Sequence, residues 1–403
     1  VGAKTASGTR QVLLTGTSSY PFGPIAQWTY GNGRLMKRSL NQNYQPGFVE
    51  VTAAGGINIG YEFDEVGNLK KLRAANQVDP PKRIFGYDGL NRLLDSKDGT
   101  TNAVLQAYAY DKTGNRTSAT VGTTTTPYTY PAGSHLLSQV GSNTRAYDFN
   151  GNTTSIPGTV VKSFVYGDHN RMTQYREGTT VKMNYVYNGR GEQVRKYASS
   201  TTNVYSLYGE GGQWLGDYNN AAAATQQVIW LYDLPVGLFV GAATAQKLHY
   251  IEADALGTPR VVVDPTRGAS GTAVWAWDLA GEAFGTTAPN QNPDGDAVQF
   301  VFNMRFPGQR YDTVSKLNYN YFRDYDTVTG RYVESDPIGL EGGVSTYGYV
   351  KANPLSYVDP RGLESGSFYT NPEYRMAAPR YDGGYWGWEA QIGFGRGRTS
   401  FTC

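Results

Sequence analysis

Aromatic and polar residues alternate along most of this chain in short runs, and turn-forming residues separate the runs. Because successive side chains of a β-strand point to opposite faces, the alternation places the aromatic rings of each run on one face of a strand. Asp and Asn between the runs can bond to their own backbone, and Gly accepts a positive φ, so these positions are typical of tight turns. No convincing amphipathic helical pattern occurs in the sequence, which therefore predicts an all-β protein.

The runs belong to an internal repeat of the form aromatic-x-aromatic-Asp, followed after two or three residues by Gly-Asn or Asn-Arg. The copies read YEFDEVGNLKKL from Tyr61, FGYDGLNRLLDS from Phe85, YAYDKTGNRTSA from Tyr108, RAYDFNGNTTSI from Arg145, FVYGDHNRMTQY from Phe164 and YVYNGRGEQVRKY from Tyr185. Their predicted turn positions are Asp64, Asp88, Asp111, Asp148, Asp168 and Asn188, and a degenerate copy begins at Trp28. Each copy is expected to form a β-hairpin, and the hairpins are expected to stack because one alone is marginally stable. We interpret these Tyr and Asp residues as scaffold, with Tyr rings forming ladders across neighbouring strands.

The composition mainly excludes certain partners, membrane spans, disulfides and cofactors. A formal net charge of +2 gives no reason to expect nucleic acid or an anionic membrane as a partner. No apolar run reaches the roughly 18 residues that span a bilayer, and the single Cys403 rules out an internal disulfide. His135, His169 and His249 lack the spacing of metal ligands, and no cofactor fingerprint occurs, so neither a metal nor a cofactor is predicted. The start at Val1, without a signal-peptide pattern, suggests a fragment or a processed product.

The sequence divides into three predicted segments. Residues 1–245 contain the repeats, residues 246–363 form a less periodic block, and residues 364–403 form a tail rich in Gly, Tyr, Trp and Arg. Further strands are expected from Val228, Lys247, Thr258 and Thr272. The tail is short for a folded enzyme without disulfides or a metal. It is either part of a toxin or a peptide kept in a shell, or a divergent or truncated remnant.

Three segments of the second block give the sequence a specific resemblance. They are HYIEADALGTPRVVVD from His249, NMRFPGQRYDTVSKLNYNYFRDYDTVTGRYVESDPIGLEGG from Asn303, and YGYVKANPLSYVDPRGL, which ends at Leu363. Together with the Tyr-Asp copies, they resemble the YD repeats and the core-associated segment of the RHS family, across roughly residues 20 to 363. The resemblance implies a spiralling antiparallel sheet of β-hairpins that forms a hollow shell or barrel closed by the core-associated block. Bacterial Rhs toxins, the C component of Tc toxins and the teneurin barrels share this architecture.

The same resemblance implies a self-cleavage site. In the toxin members the chain is cut after the leucine of a closing Asp-Pro-x-Gly-Leu element, which here places the cut between Leu363 and Glu364. Two such elements begin at Asp336 and Asp359, and the family's cleavage is attributed to an aspartic-type pair. Two neighbouring carboxyl groups cannot both ionise cheaply, so one can act as a general base while the other keeps its proton. Asp-Pro-x-Gly is also a good turn sequence in its own right, so a purely structural role stays open.

Two further residues bear on this site. Arg331 is expected to hold or bias one carboxylate, and the alternative is a surface salt bridge. Ser345 stands where the family often has Asn in its Gly-Gly-x-Asn-x-Tyr segment.

Two functions follow from these observations. The first is an encapsulating shell of a secreted polymorphic toxin, of the kind used in bacterial competition and type VI secretion, with intramolecular autoproteolysis as its only enzymatic activity. Its partners would be its own C-terminal segment or toxin, secretion machinery and an immunity protein. The alternative is a non-enzymatic YD-repeat scaffold that binds carbohydrate or protein. Either function implies a secreted or cell-surface bacterial location, without nucleic-acid binding by the shell.

Overall fold

The computed structural model describes residues 2–5, 8, 10–21 and 23–367. Regular structure in these ranges consists of β-strands and three short 3-10 turns, η1 (Ala243–Ala245), η2 (Gly339–Gly342) and η3 (Val350–Ala352). The prediction of an all-β repeat protein is confirmed. The expectations for the tail beyond residue 367, including Cys403, concern residues outside the described ranges.

The first half of the chain forms a small two-stranded sheet and a large antiparallel sheet of 13 strands that pair in chain order. The small sheet consists of β1 (Gly2–Lys4) and β2 (Arg10–Val12). The strands of the large sheet are β3 (Leu14–Ser19), β4 (Ile25–Tyr30), β5 (Leu35–Leu40), β6 (Pro46–Val51), β7 (Asn58–Phe63), β8 (Leu69–Arg73), β9 (Arg83–Tyr87), β10 (Leu93–Asp98), β11 (Val104–Tyr110), β12 (Arg116–Val121), β13 (Thr124–Thr129), β14 (Gln139–Val140) and β15 (Asn143–Thr144).

A second antiparallel sheet of 13 strands follows, again paired in chain order. Its strands are β16 (Ala146–Tyr147), β17 (Thr153–Ile156), β18 (Lys162–Tyr166), β19 (Met172–Glu177), β20 (Thr180–Tyr187), β21 (Gln193–Tyr197), β22 (Asn203–Tyr208), β23 (Trp214–Tyr218), β24 (Ala224–Leu231), β25 (Leu234–Val240), β26 (Lys247–Ala253), β27 (Pro259–Asp264) and β28 (Thr272–Ala276). Among the described residues, neither large sheet closes by pairing its own end strands.

The remaining strands form two small sheets that carry the candidate site. One is a four-stranded sheet of β29 (Arg310–Tyr311), β30 (Asn318–Asn320), β31 (Arg323–Asp326) and β32 (Arg331–Tyr332). The other pairs β33 (Tyr357–Val358) with β34 (Gly366–Ser367).

The repeated turn has one construction. In five copies the side-chain Oδ1 of the turn residue accepts the backbone N–H groups two and four residues later, at 2.8–3.1 Å. These turn residues are Asp64, Asp88, Asp111, Asp148 and Asn188. The side-chain oxygen of Asp or Asn thus replaces backbone acceptors inside the turn, as its local hydrogen-bonding chemistry predicts.

The copy from Phe164 differs from the prediction. Its backbone turn is closed by Gly167, whose N–H bonds to the carbonyl of Arg171 at 2.9 Å, as the N–H of Asp64 bonds to the carbonyl of Asn68. Gly167 therefore occupies the turn position that the sequence analysis assigned to Asp168, and Asp168 is the next residue. A glycine can occupy this position because the backbone hydrogen bonds of the turn form without the Oδ1 acceptor that Asp or Asn supplies in the other copies.

Tyrosine hydroxyls join each copy to the one before it. The second aromatic residue of a copy donates its O–H to a backbone carbonyl at the beginning of, or just before, the second strand of the preceding hairpin, at 2.8–3.2 Å. The pairs are Tyr87 with Leu69, Tyr110 with Leu93, Tyr130 with Arg116, Tyr147 with Leu137, Tyr166 with Thr153, Tyr187 with Met172, and Tyr208 with Gln193. The expected rows of tyrosine therefore exist, but in the described repeats hydroxyl-to-carbonyl bonds link the copies in place of ring ladders.

The block after residue 276 packs against both large sheets. Phe284 lies in a core with Leu69, Leu93 and Tyr108 of the first sheet. A second core joins strands β23–β28 to the block, and a third packs strands β18–β20 against it; their buried block residues include Phe302, Tyr325, Tyr332, Leu317 and Val333. The boundary predicted at residue 245 falls inside the second sheet, because β25 pairs with β26 without interruption. The three-segment division stays a prediction.

Candidate functional site

The candidate site lies where the four-stranded sheet meets the hairpin of β33 and β34. Arg323 begins β31 and Tyr332 ends β32, while Asp336 follows β32 after a short segment and Asp359 directly follows β33. The turn between β31 and β32 is closed by the N–H of Gly330 on the carbonyl of Asp326, at 2.8 Å. Residues distant in sequence therefore converge on one buried point.

Both Asp-Pro-x-Gly-Leu elements form turns. Oδ1 of Asp336 accepts the N–H of Ile338 at 3.1 Å, and Oδ1 of Asp359 accepts the N–H of Leu363 at 2.9 Å. The turn interpretation of these elements is therefore correct for their backbone. The Oδ2 atom of each carboxylate takes no part in the turn and faces the centre of the site.

Arg323 joins the two carboxylates. Its Nη2 lies 2.9 Å from Oδ2 of Asp336 and 3.4 Å from Oδ2 of Asp359. All three side chains are almost fully buried, with 2% of Arg323 and 3% of each aspartate exposed. A buried cation between two carboxylates offsets part of the cost of removing their charges from water.

The same guanidinium holds the segment that would be cut. Its Nε donates to the carbonyl of Gly362 at 2.6 Å, and its Nη1 donates to the carbonyl of Thr346 at 3.1 Å. Its Nη2 lies 3.5 Å from the carbonyl oxygen of Leu363. Arg323 therefore contacts both carboxylates and the carbonyl of the peptide bond between Leu363 and Glu364.

Tyr332 supports Asp359 and Arg323 at once. Its hydroxyl donates to Oδ2 of Asp359 at 2.7 Å, and the Arg323 guanidinium carbon lies 3.7 Å from the centre of its ring. The amide of Asn320 donates to the Tyr332 hydroxyl at 2.7 Å and to the backbone carbonyl of Asp359 at 3.0 Å. The position of Asp359 is thus fixed by a chain of buried hydrogen bonds.

Burial shifts both carboxyl groups in the same direction. It raises the pKa of Asp336 to about 6, where Arg323 opposes the shift and the negative charges of Asp359 and Glu364 add to it. Burial also raises the pKa of Asp359, opposed by Arg323 and by the Tyr332 hydroxyl. The site can therefore hold a proton at a pH where ordinary aspartates are fully ionised.

Gly342 leaves room for the Asp336 carboxylate and the carbonyl of Leu363. A Cβ built at this position would lie 2.3 Å from Oδ2 of Asp336 and 2.6 Å from the carbonyl oxygen of Leu363. Both distances are too short for a real side chain. The backbone at Gly342 therefore lies directly beside Asp336 and the carbonyl of Leu363, and only glycine fits there.

The prediction for Arg331 was wrong. Arg331 donates from Nη1 to the Tyr130 hydroxyl at 3.0 Å and from Nη2 to the carbonyl of His135, and it lies over the ring of Tyr347. It therefore ties the block to the first sheet, and Arg323 takes the place that the sequence analysis gave to Arg331. Each arginine begins a short strand, Arg323 in β31 and Arg331 in β32. Nothing in the local sequence pattern indicates which of the two side chains faces the carboxylates.

The other residues singled out from the sequence lie elsewhere. Ser345 lies against the repeat turn at Gly114. A Cβ built on Gly114 would lie 3.6 Å from the Cβ of Ser345. His135 contacts Asn115, and His249 packs beside Phe300. In the described ranges no group of three His, Cys, Asp or Glu residues could hold a metal ion. Within the same ranges no helix has the length and apolar character needed to cross a membrane.

The fold defines a YD-repeat shell protein. The family model of the teneurin YD-shell matches residues 36–341, which is most of the chain. The chain belongs to this YD-shell family.

Its relatives include toxins of bacteria. The double-stranded DNA deaminase toxin A of Burkholderia cenocepacia is 27% identical over 325 residues, covering 80% of this chain and 18% of the relative. The probable deoxyribonuclease RhsA of Dickeya dadantii is 55% identical over 60 residues, covering 15% of this chain and 4% of the relative. The chain thus spans less than a fifth of the length of these relatives.

Solved structures show the same fold. The Tc holotoxin pore of Photorhabdus luminescens superposes with a TM-score of 0.70 at 19% identity, covering 89% of this chain and 19% of that chain. At this identity the likeness concerns the fold alone.

Proposed function

We propose that this chain is the shell section of a bacterial polymorphic toxin and that it cuts itself between Leu363 and Glu364. The observation that carries the proposal is the position of Arg323, which contacts Asp336, Asp359 and the carbonyl of Leu363 together. The relatives with toxin names support the shell role, since one of them, the deaminase toxin A, is similar over 80% of this chain.

The chemistry requires one water molecule and a single turnover. Asp359, ionised, removes a proton from the water as its oxygen attacks the carbonyl carbon of Leu363. The negative charge that develops on the carbonyl oxygen is stabilised by Nη2 of Arg323, a donor held in place before the reaction. The bond between the Leu363 carbonyl carbon and the Glu364 nitrogen then breaks, and Asp336 gives its proton to that nitrogen.

The aspartates receive these roles from their surroundings. The Tyr332 hydroxyl and the N–H of Leu363 both donate to Asp359, which favours its ionised form. Among the described residues, Asp336 accepts one backbone N–H beside the Arg323 contact, and its pKa is raised to about 6. We therefore assign the role of proton donor to Asp336, whose carboxylate accepts fewer hydrogen bonds than that of Asp359.

In this function the shell's partners are its own C-terminal segment or toxin, together with secretion machinery and an immunity protein. The location is the cell exterior or the cell surface of a bacterium. The alternative, a non-enzymatic scaffold that binds carbohydrate or protein, needs no cut and no intact carboxyl pair.

Intact-mass measurement of the purified full chain tests the proposal. The wild type should yield a peptide of 40 residues that starts at Glu364, and Asp336→Asn and Asp359→Asn should each block its formation. Asp64→Asn is a matched control, because Asn188 already fills the equivalent turn in another repeat. A wild type that stays intact under all conditions would favour the scaffold, and variants that cut normally would exclude these carboxylates.

A further inference from the structure

A short strand pair holds the residues that follow the cut. β33 pairs with β34 in antiparallel register, with Tyr357 opposite Ser367 and Val358 opposite Gly366. The bond between Leu363 and Glu364 lies inside the loop that joins the two strands. Residues 366–367, which follow the cut by two positions, therefore form a strand that pairs with β33.

The residues before the cut are held by a different element. The N–H of Phe322 donates to the carbonyl of Arg361 at 3.0 Å, and Nε of Arg323 donates to the carbonyl of Gly362 at 2.6 Å. Both donors belong to the turn and strand at β31. The two sides of the bond thus have separate anchors, one at residues 322–323 and one at β33.

The Arg323 side chain holds the residues before the bond, and the backbone of β33 holds the residues after it. A strand ladder is made by backbone N–H and C=O groups, so its hydrogen bonds do not require a particular side chain. Glu364 is exposed, Ser365 is partly buried and Gly366 is buried, so the chain becomes covered again where it pairs with β33. Holding both sides in place keeps the carbonyl of Leu363 close to Arg323, which a reaction at that carbonyl requires.

We propose that Tyr357–Val358 is a docking strand that binds residues 366–367 by backbone pairing, aligns the bond for cutting, and holds the new N-terminal segment after the cut. This inference rests on the proposed self-cleavage. It gives β33 a positioning role distinct from the acid-base roles of Asp336 and Asp359.

The test compares two double variants of the full chain. Gly366→Pro with Ser367→Pro removes both N–H groups of β34, whereas Gly366→Ala with Ser367→Ala keeps them. The time course of cutting is measured by intact mass over pH 5 to 8, and native size-exclusion chromatography shows how much of the released peptide stays with the shell. Thermal unfolding and hydrogen exchange at Val358 report whether the fold and the pairing persist.

The proline pair should slow cutting at least tenfold with an unchanged pH profile and an unchanged unfolding temperature, and should retain less peptide. The alanine pair should stay within threefold of the wild type, with Val358 still protected after the cut. If neither double variant is slowed, the docking role alone is overturned. If both are slowed equally, it is also overturned, because the effect then belongs to side-chain volume and not to the lost N–H groups. Loss of the peptide from the cut wild type would overturn the holding role. A wild type that never cuts would instead remove the proposed function and this inference with it.

Discussion

Replacing Tyr332 with phenylalanine isolates the hydrogen bond that favours the ionised form of Asp359. The substitution removes one hydroxyl that donates to Oδ2 of Asp359 at 2.7 Å and accepts from the Asn320 amide at 2.7 Å. The ring stays and can still stack against the Arg323 guanidinium. The variant therefore changes the electrostatics of the base while it keeps the packing.

The size of the effect follows from the burial of the site. A hydrogen bond to a charged group contributes about 1.5–3 kcal/mol, and one pKa unit corresponds to about 1.4 kcal/mol. With 3% of Asp359 exposed, water cannot replace the lost donor. The pKa of Asp359 should rise by about one to two units, so its ionised fraction on the acidic side of the profile should fall about 10- to 100-fold.

The assay is the rate of self-cleavage between pH 4 and pH 8, measured by intact mass. Because the base must be ionised, a higher pKa moves the acidic limb of the profile to higher pH. Tyr325→Phe is the control, since this buried hydroxyl of the same small sheet donates at 2.8 Å to the carbonyl of Phe284 and not to an aspartate. Its profile should match that of the wild type in position. A Tyr332→Phe profile that superimposes on the wild type, while Asp359→Asn still blocks the cut, would refute the assignment of Asp359 as the base stabilised by Tyr332.

Four further outcomes are expected. Arg323→Lys should slow the cut about 100-fold or more, because one ammonium cannot replace a planar fork that contacts two carboxylates and three carbonyls; a time course near the wild-type rate would contradict this. The wild-type rate should fall about tenfold per pH unit above about 6, as Asp336 loses the proton that the leaving nitrogen needs, and a flat profile from pH 6 to 8 would count against it. Tyr87→Phe should lower the free energy of unfolding in urea by about 1 kcal/mol, since it removes one partly buried hydroxyl-to-carbonyl bond between repeats, whereas no measurable loss would argue that these bonds do not stabilise the array. The fragment of residues 1–245 should be insoluble or protease-sensitive, because the cores of both sheets are completed by the later block; cooperative unfolding of a soluble fragment would show the opposite.

Local chemistry made the repeat predictable. The turn at Asp64 forms from bonds within five residues, and the alternating aromatic residues before it need only the geometry of one strand. Even here one residue was misplaced, because Gly167 closes the turn that was assigned to Asp168. The rows of tyrosine were expected, but the hydroxyl-to-carbonyl bonds between copies depend on how neighbouring hairpins stack.

The candidate site was predictable only in part. The two Asp-Pro-x-Gly-Leu elements and the family resemblance pointed to Asp336, Asp359 and Leu363. The partner that joins them was missed, since Arg323 lies 36 residues before Asp359 and carries no local signal that separates it from Arg331. Tyr332 and Gly342 were missed for the same reason, because their roles depend on a neighbour that the sequence does not place.

The sequence by itself determined the strands, the turns and the position of the two acidic elements, since each depends on interactions between residues a few positions apart. Only the tertiary structure decided that one buried guanidinium contacts both carboxylates and the carbonyl of Leu363. It also decided which strand pairs with the residues after that bond. The physical reason is that burial and charge pairing arise from the approach of separate strands. The pKa values and contacts of the site are therefore properties of the packed molecule.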